Sequence, residues 1–354
     1  MKTKPWYWVI KILNYVFPGL VTTISVINPG INGYEKAMFP DMIYGTAYKP
    51  FVYRTLLPAM VRLIQAPIPM QVRDLINKSL SNVSILKSAI DKLGWEKDYL
   101  LDYSVAFILL YLFLLGFLGA FKYLFTRLIS TNEIFLNVTS FVAIVGLPLL
   151  FKYYTYIYDF PTLFLFTLGL GLMAAEQWNL YMLVFIFATF NKETSILLAF
   201  IYFIHNFPNI MAGKLFLKLL IMQLVFYAGI KLVVTILFVN NPGTFLEFHL
   251  FDHNLIILRN IDLLPLLLIL LPIIILVFYK WREKPKLLKD GLWVLVPLVS
   301  IAVFYGFIDE YRAYYEAYPI ICLLIIYSFG KLIGVKLETR PNMRIGNSAS
   351  LAYL

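Results

Sequence analysis

Apolar runs of roughly 20 residues, each bounded by polar or charged positions, recur along the whole chain. Because an α-helix rises about 1.5 Å per residue, such a run crosses the roughly 30 Å of hydrocarbon in a bilayer. The pattern predicts an all-α, polytopic transmembrane bundle of about ten spans. We place these spans at 6–28, 103–125, 134–151, 161–176, 179–191, 195–207, 214–238, 263–281, 291–308 and 317–334. The pair at 179–191 and 195–207 is short, and is compatible with tilted spans, one broken helix or a re-entrant pair.

Basic residues fix the predicted orientation, because cytoplasmic loops carry an excess of Lys and Arg. On the side predicted to be cytoplasmic lie Lys2, Lys4, Lys122, Arg127, Lys214, Lys218, Lys280, Arg282, Lys284, Lys286, Lys289, Lys331, Lys336, Arg340 and Arg344. The short loops opposite hold only Lys152, Lys192, Arg259 and Arg312. We therefore expect a multi-pass protein, of the cytoplasmic membrane if the cell is bacterial, with both termini in the cytoplasm.

One long segment, residues 29–102, separates the first span from the second and is predicted to be extracytoplasmic. The rest of the chain 1–354 forms with it a single integral membrane domain. The stretches 53–64 and 72–94 have apolar residues at helical spacing, which predicts amphipathic helices on the outer membrane surface. They either pack against the bundle or guide a lipid or an acceptor.

Composition agrees with this picture and excludes several classes of protein. Hydrophobic residues make up 61% of the 354 positions and charged residues 14%, which no soluble domain would bury. The formal charge of +10 is spread over loops, so it indicates contact with membrane lipids and no nucleic-acid partner. The single cysteine, Cys322, cannot form an intrachain disulfide. No P-loop, GxGxxG or HExxH motif is present.

The polar residues that are unusual beside apolar spans lie on the predicted outer side of the membrane. Glu35 and Asp41 follow the first span, and either carboxylate is a candidate general base, or part of a solvated loop. Arg54 lies among aromatic and apolar residues, where its forked donors suit a phosphate.

The segment FKYYTYIYDFP places Asp159 at the entrance of a span, as a catalytic or cation-binding acid or a helix cap. Its tyrosines, Tyr158 among them, either stack on sugar rings or belong to an interfacial aromatic belt. In NKET, Lys192 and Glu193 lie between two apolar runs and either contact substrate or pair with each other.

Two further outer loops carry titratable groups. Glu247, His249, Asp252 and His253 cluster in one loop, at a spacing that matches no strong metal motif. Asp309 and Arg312 are three residues apart in DEYRAYYEAYP, so on a helix an acid would hold Arg312 toward a ligand phosphate. An exposed ion pair is the alternative.

The span number, the long first outer loop with early acids and the outward-facing polar residues resemble the multi-span glycosyltransferases of the GT-C fold. The resemblance implies a cell-envelope enzyme that moves a sugar from a polyprenyl-phosphate donor to an acceptor glycan, lipid or protein. It implies a catalytic acid at Glu35 or Asp41, and Asp159 or Glu193 orienting the sugar or binding a divalent ion such as Mg or Mn. Arg54, Lys192 and Arg312 would neutralise the departing lipid phosphate.

Two other functions stay open from the sequence. A transporter or flippase of a lipid-linked or anionic substrate would use the charged residues as a path and the pair around NKET as a discontinuous helix. Few charges fall inside spans, and Lys231 is the clearest exception. A non-catalytic membrane subunit would instead bind partners through residues 29–102.

Overall fold

The protein is described by a computed structural model that covers residues 5–260 and 262–340. Lys2, Lys4 and Arg344, which the orientation argument used, lie outside these residues. The described chain is almost entirely helical, as its apolar runs predict. Its α-helices are α1 Pro5–Ser25, α2 Phe39–Tyr44, α3 Leu56–Gln65, α4 Met70–Leu80, α5 Ser84–Leu93, α6 Leu100–Leu128, α7 Glu133–Val145, α8 Asp159–Ala174, α9 Trp178–Asn191, α10 Ile196–Ala212, α11 Lys214–Leu237, α12 Leu255–Asn260, α13 Leu263–Phe278, α14 Lys286–Gly291, α15 Leu295–Tyr305 and α16 Tyr318–Leu332. Two short strands, β1 Ile129–Ser130 and β2 Glu338–Thr339, pair antiparallel.

Six helical segments of the described residues are long and apolar enough to cross a membrane. They are Trp8–Asn28, Lys97–Leu128, Glu133–Leu150, Glu193–Met211, Lys214–Leu237 and Lys286–Tyr305. A seventh is possible if Leu250–Asn260 and Leu264–Phe278, bent by 93°, count as one span. The chain is thus a membrane protein by the length and apolarity of its helices, while the number of ten spans stays a prediction.

The predicted spans at 161–176, 179–191 and 317–334 correspond to α8, α9 and α16, which have 16, 14 and 15 residues. At about 1.5 Å per residue such helices are shorter than an upright crossing. Nearly every side chain of α8 is buried, so this helix is surrounded by protein rather than lipid. A short helix at the centre of a bundle needs no contact with the full thickness of the bilayer.

Small residues bring α6 and α8 together in the core. A Cβ on Gly116 would lie 2.9 Å from the ring of Phe164, and one on Gly171 would lie 2.6 Å from the ring of Tyr123. Because lipid tails are as apolar as side chains, close van der Waals packing at small residues is what associates such helices. The close approach of α6 and α8 therefore depends on the missing side chains of Gly116 and Gly171.

The connections fall into two groups that meet at opposite ends of the bundle. Residues 26–99, 146–158, 192–195, 238–260 and 306–317 contact one another, for example through Lys152–Asp309 and Lys192–Glu316, and we call this the site end. At the opposite end, β1 pairs with β2, and His205 lies 2.7 Å from Asp290. The grouping follows the alternation of loops that a bundle of antiparallel helices requires.

Within 26–99, α2 is buried while α4 and α5 expose apolar side chains such as Met70, Leu75 and Ile85. The predicted amphipathic stretch 72–94 is two helices, because the chain breaks between Leu80 and Ser84. Exposed apolar faces on α4 and α5 fit helices that lie on a membrane surface, although that position stays a prediction.

Candidate functional site

Two arginines stack on two tyrosines at the site end. The guanidinium carbon of Arg54 lies 4.1 Å from the centroid of the Tyr158 ring, and that of Arg312 lies 3.9 Å from the Tyr156 ring. The two rings are stacked on each other at 5.2 Å. Desolvated cation–π contacts of this kind are worth roughly 2 kcal/mol each, so they hold the guanidinium planes in fixed orientations.

The segment that carries the tyrosines is pinned to the first loop by backbone hydrogen bonds. Asn32 donates its backbone N–H to the carbonyl of Thr155 at 2.8 Å, and its side-chain oxygen accepts the N–H of Ile157 at 3.0 Å. Thr155 in turn donates its N–H to the carbonyl of Gly30 at 2.9 Å. Residues just after α1 therefore fix the position of residues just before α8.

Each arginine is paired with carboxylates. Nε of Arg54 donates to Glu193 at 3.2 Å. Arg312 pairs with Glu310 and lies 3.7 Å from the carboxylate of Asp159. The same Asp159 oxygen accepts the N–H of Tyr156 at 2.8 Å, so this acid joins the tyrosine loop to the start of α8.

Successive side chains of the NKET connection contact different partners. Asn191 ends α9 and donates to the carbonyl of Tyr158 and the hydroxyl of Thr162. Lys192 has an extended backbone and reaches Glu316, 3.0 Å away, which also accepts a hydrogen bond from Thr194. The alternative that Lys192 pairs with its neighbour Glu193 is not what the structure shows.

These contacts define one group of residues, which we call the arginine cluster: Arg54, Tyr156, Tyr158, Asp159, Lys192, Glu193, Glu310, Arg312 and Glu316. Its side chains come from four connections that are far apart in sequence. Of the residues predicted for the site, it brings together Arg54, Tyr158, Asp159, Lys192, Glu193 and Arg312. Their roles in binding or chemistry stay predictions.

Several polar atoms of the cluster are buried and have no hydrogen-bond partner within the protein. They include Nε of Arg312, Oε1 of Glu193 and Oε2 of Glu316. An unpaired buried polar group costs about 1–3 kcal/mol, and more when it is charged. Native proteins keep such groups where water, an ion or a ligand completes them.

The loop residues Tyr158 and Arg312 keep one protonation state at physiological pH. Burial raises the pKa of Tyr158 to about 12, so the phenol stays neutral at physiological pH. Burial opposes the charge of Arg312, but Glu310 and Asp159 outweigh it and raise its pKa well above the usual value. The cluster thus presents permanent cations beside neutral aromatic faces.

Asp309 belongs to a neighbouring group and not to the arginine cluster. It accepts hydrogen bonds from Lys152 at 2.5 Å and Tyr153 at 2.6 Å, and lies 2.9 Å from the ring of His253. Burial alone would raise the pKa of Asp309, but these hydrogen bonds hold it well below the ordinary value. The expectation that Asp309 pairs with Arg312 is wrong. The partners of Asp309 lie in the segment before α8, at Lys152 and Tyr153, and in the loop after α11, at His253.

The histidine loop is held in place by ion pairs. His249 lies 3.0 Å from Asp252 and 3.5 Å from Glu247, and Lys36 lies 2.6 Å from Glu247. Among the residues that the structure describes, no three His, Cys, Asp or Glu side chains converge as a metal site. Binding of a divalent ion such as Mg or Mn by the acids of the arginine cluster stays a prediction.

The two acids of the first loop lie outside the arginine cluster. Glu35 is exposed and follows Tyr34, whose ring packs against Phe51 at 5.7 Å, and Phe51 stacks on Tyr156 at the same distance. Asp41 accepts the hydroxyl of Thr46 at 2.6 Å. Asp41 is therefore engaged in its own turn, while Glu35 is linked to the cluster only through the aromatic contacts of the neighbouring Tyr34.

Sequence reasoning noted Tyr156 only among the tyrosines of its segment and placed Glu310 and Glu316 on the outer side, but it assigned none of the three to the site. Tyr156 and Tyr158 flank Ile157. This spacing of two residues could have predicted that their rings lie next to each other. Glu316 gives no such signal, because it is fully buried only through the fold.

Comparisons of the chain with models of protein families, with curated proteins and with solved structures gave no match.

Proposed function

We propose that this protein is a ten-span membrane glycosyltransferase that takes its sugar from a lipid-phosphate-linked donor on the extracytoplasmic side. The site end would face away from the cytoplasm, as the Lys and Arg distribution of the sequence predicts. The alternation of connections between the two ends of the bundle supports this topology, with α8, α9 and α16 as short spans.

The observation that carries the proposal is the pair of stacked arginines beside Lys192, with Nε of Arg312 buried and unpartnered. Guanidinium groups bind phosphate through two parallel N–H bonds, and stacking on Tyr156 and Tyr158 fixes their planes in advance. The carboxylates balance the cations while no phosphate is bound. A neutral sugar alone would not need such a concentration of buried charge.

In the proposed reaction an acceptor hydroxyl attacks the anomeric carbon of the donor sugar. Its oxygen forms the new glycosidic bond as the bond from the anomeric carbon to the phosphate oxygen breaks, and the electron pair leaves with the phosphate. We assign acceptance of the hydroxyl proton to Glu35, because it is exposed and follows Tyr34, whose ring joins the aromatic contacts of the cluster. Arg54, Arg312 and Lys192 stabilise charge that grows on the leaving phosphate, which lowers the barrier.

The test uses the purified chain in lipid nanodiscs with a panel of polyprenyl-phosphate hexoses and pentoses. Mass spectrometry follows the release of polyprenyl phosphate and the new glycoside. Arg54→Gln and Arg312→Gln should each lower the rate by about 100-fold or more, the usual effect of removing one electrostatic contact to a leaving group. Arg282→Gln, an exposed arginine at the opposite end, is the matched control.

If both cluster variants turn over substrate at the rate of the control, the proposal that Arg54 and Arg312 bind the phosphate is refuted. Substrate that crosses the membrane of a proteoliposome without any covalent product would favour a transporter. For the base, Glu35→Gln should be nearly inactive and Asp41→Asn active, and the reverse result would move the role to Asp41.

A further inference from the structure

Lys231 is a charged residue inside an apolar helix, six residues before α11 ends at Leu237. Six residues correspond to about 9 Å along the helix axis, so Lys231 lies inside the predicted span 214–238 rather than at its end. The neighbouring Leu232, Val233 and Ile236 are exposed, as lipid-facing residues are. A charge is expensive at such a position, and membrane proteins keep one there when it has a function.

The side chain of Lys231 turns toward the connection that carries the arginine cluster. Its Nζ donates to the carbonyl of Thr189 in the last turn of α9 at 2.9 Å. One turn earlier, the hydroxyl of Tyr227 donates to the backbone carbonyl of Glu193 at 3.0 Å. Two residues of α11 thus contact the segment on either side of Lys192.

Polar atoms without a partner surround this point. Oε1 of Glu193 is buried and has no hydrogen-bond partner, and neither has the hydroxyl of Tyr53, which is 3% exposed. The other oxygen of Glu193 is held by Arg54. An ammonium group has three N–H donors, and the Thr189 carbonyl occupies one of them. Lys231 and the Tyr53 hydroxyl therefore keep donors that a bound anion would use, whereas the free oxygen of Glu193 is an acceptor and contributes none.

We propose that Lys231 contacts the phosphate of the lipid-linked donor where it passes from the bilayer into the arginine cluster, and so selects phosphate over uncharged lipids. This inference rests on the proposed function. The lipid tail stays along the exposed face of α11, and the phosphate lies against the ammonium of Lys231, on the side away from the Glu193 carboxylate that Arg54 holds.

Another role for Lys231 is purely structural, as a cation at the C-terminus of α9 that satisfies a carbonyl. Lys231→Gln separates the two roles, because glutamine still donates a hydrogen bond but has no charge. Lys231→Arg keeps the charge. Lys218→Gln, an exposed lysine near the other end of the same helix, is the control.

The experiment measures binding of undecaprenyl phosphate and of undecaprenol to the full chain in nanodiscs by native mass spectrometry. The ratio of the two dissociation constants gives the preference for phosphate. We expect Lys231→Gln to lower that ratio by about tenfold or more, since a charge-assisted contact is worth at least about that factor. Lys231→Arg and Lys218→Gln should keep the ratio of the unaltered chain.

The outcomes separate this inference from the proposed function. If the unaltered chain does not prefer phosphate, the lipid-phosphate donor itself is refuted. If it does, and Lys231→Gln keeps the preference, only the role of Lys231 is overturned. An equal loss in Lys231→Arg and Lys231→Gln would also overturn it, because charge would then not be the property that matters.

Discussion

The ion pair between Lys192 and Glu316 allows a stringent test, because both partners are removed from water. Glu316 is fully buried and the Lys192 side chain is 11% exposed, with 3.0 Å between Nζ and Oε1. Glu316→Gln keeps an oxygen for the hydrogen bonds from Lys192 and Thr194 but removes the negative charge. Lys192→Met removes the positive charge and keeps a side chain of similar length.

The magnitude follows from the burial of the pair. Removing one partner of a buried ion pair leaves the other charge uncompensated and costs about 3–5 kcal/mol, whereas replacing both by uncharged residues is often neutral. We therefore expect each single variant to lose about 3–5 kcal/mol of unfolding free energy. The double variant should be more stable than either single one, because it leaves no buried charge at this position.

The assay is reversible unfolding in mixed micelles with rising sodium dodecyl sulfate, followed by circular dichroism for all four proteins of the double-mutant cycle. A Glu316→Gln protein as stable as the unaltered chain would refute the reasoning, as would a double variant that loses the sum of the two single effects. If Lys192 also serves the proposed reaction, the stable double variant should still be inactive.

Three further predictions concern other parts of the site end. Asn254 donates to the carbonyls at the end of α15 and accepts one N–H there. Asn254→Ala should therefore lower the free energy of unfolding by about 1–3 kcal/mol, measured in the same micelle assay. Because the pKa of Asp309 is depressed by its partners, its contribution to stability is present above the unfolded value of about 4 and is lost as pH falls below it. Asp309→Asn should therefore flatten the loss of stability as pH falls from about 5 toward the depressed pKa of the folded protein. In microsomes that glycosylate N-x-S/T sequons, Asn82 should carry a glycan and Asn77 should not, because Asn82 is exposed in a turn while the Asn77 side chain caps α6. A gel shift that Asn82→Gln abolishes would verify it, and no shift would contradict an outward-facing loop.

The sequence by itself determined that the chain is a membrane protein, and it predicted most of the helices. Apolar length and composition are local properties, so the predicted spans at 103–125 and 214–238 agree closely with α6 and α11. The amphipathic pattern of 53–64 likewise predicted α3. The number of ten spans was not settled in this way, because helices buried among other helices need not match the bilayer in length.

The sequence also marked most members of the arginine cluster, because charge beside apolar runs is costly and therefore conspicuous. It did not reveal their partners. Arg54 and Glu193 are 139 residues apart and Lys192 and Glu316 are 124 apart, and neither pair has a local pattern that links its members. Nearest-neighbour reasoning instead joined Asp309 to Arg312, which the structure separates.

Only the tertiary structure decided which charges neutralise each other, and the reason is physical. A buried charge takes the partner that the packed helices bring within hydrogen-bond distance, whatever the separation in sequence. The close α6–α8 contact and the loop pinned by Asn32 set that geometry. The sequence therefore determined that unusual polar residues exist beside the membrane, and the fold determined that Arg54, Arg312 and Lys192 form one cluster.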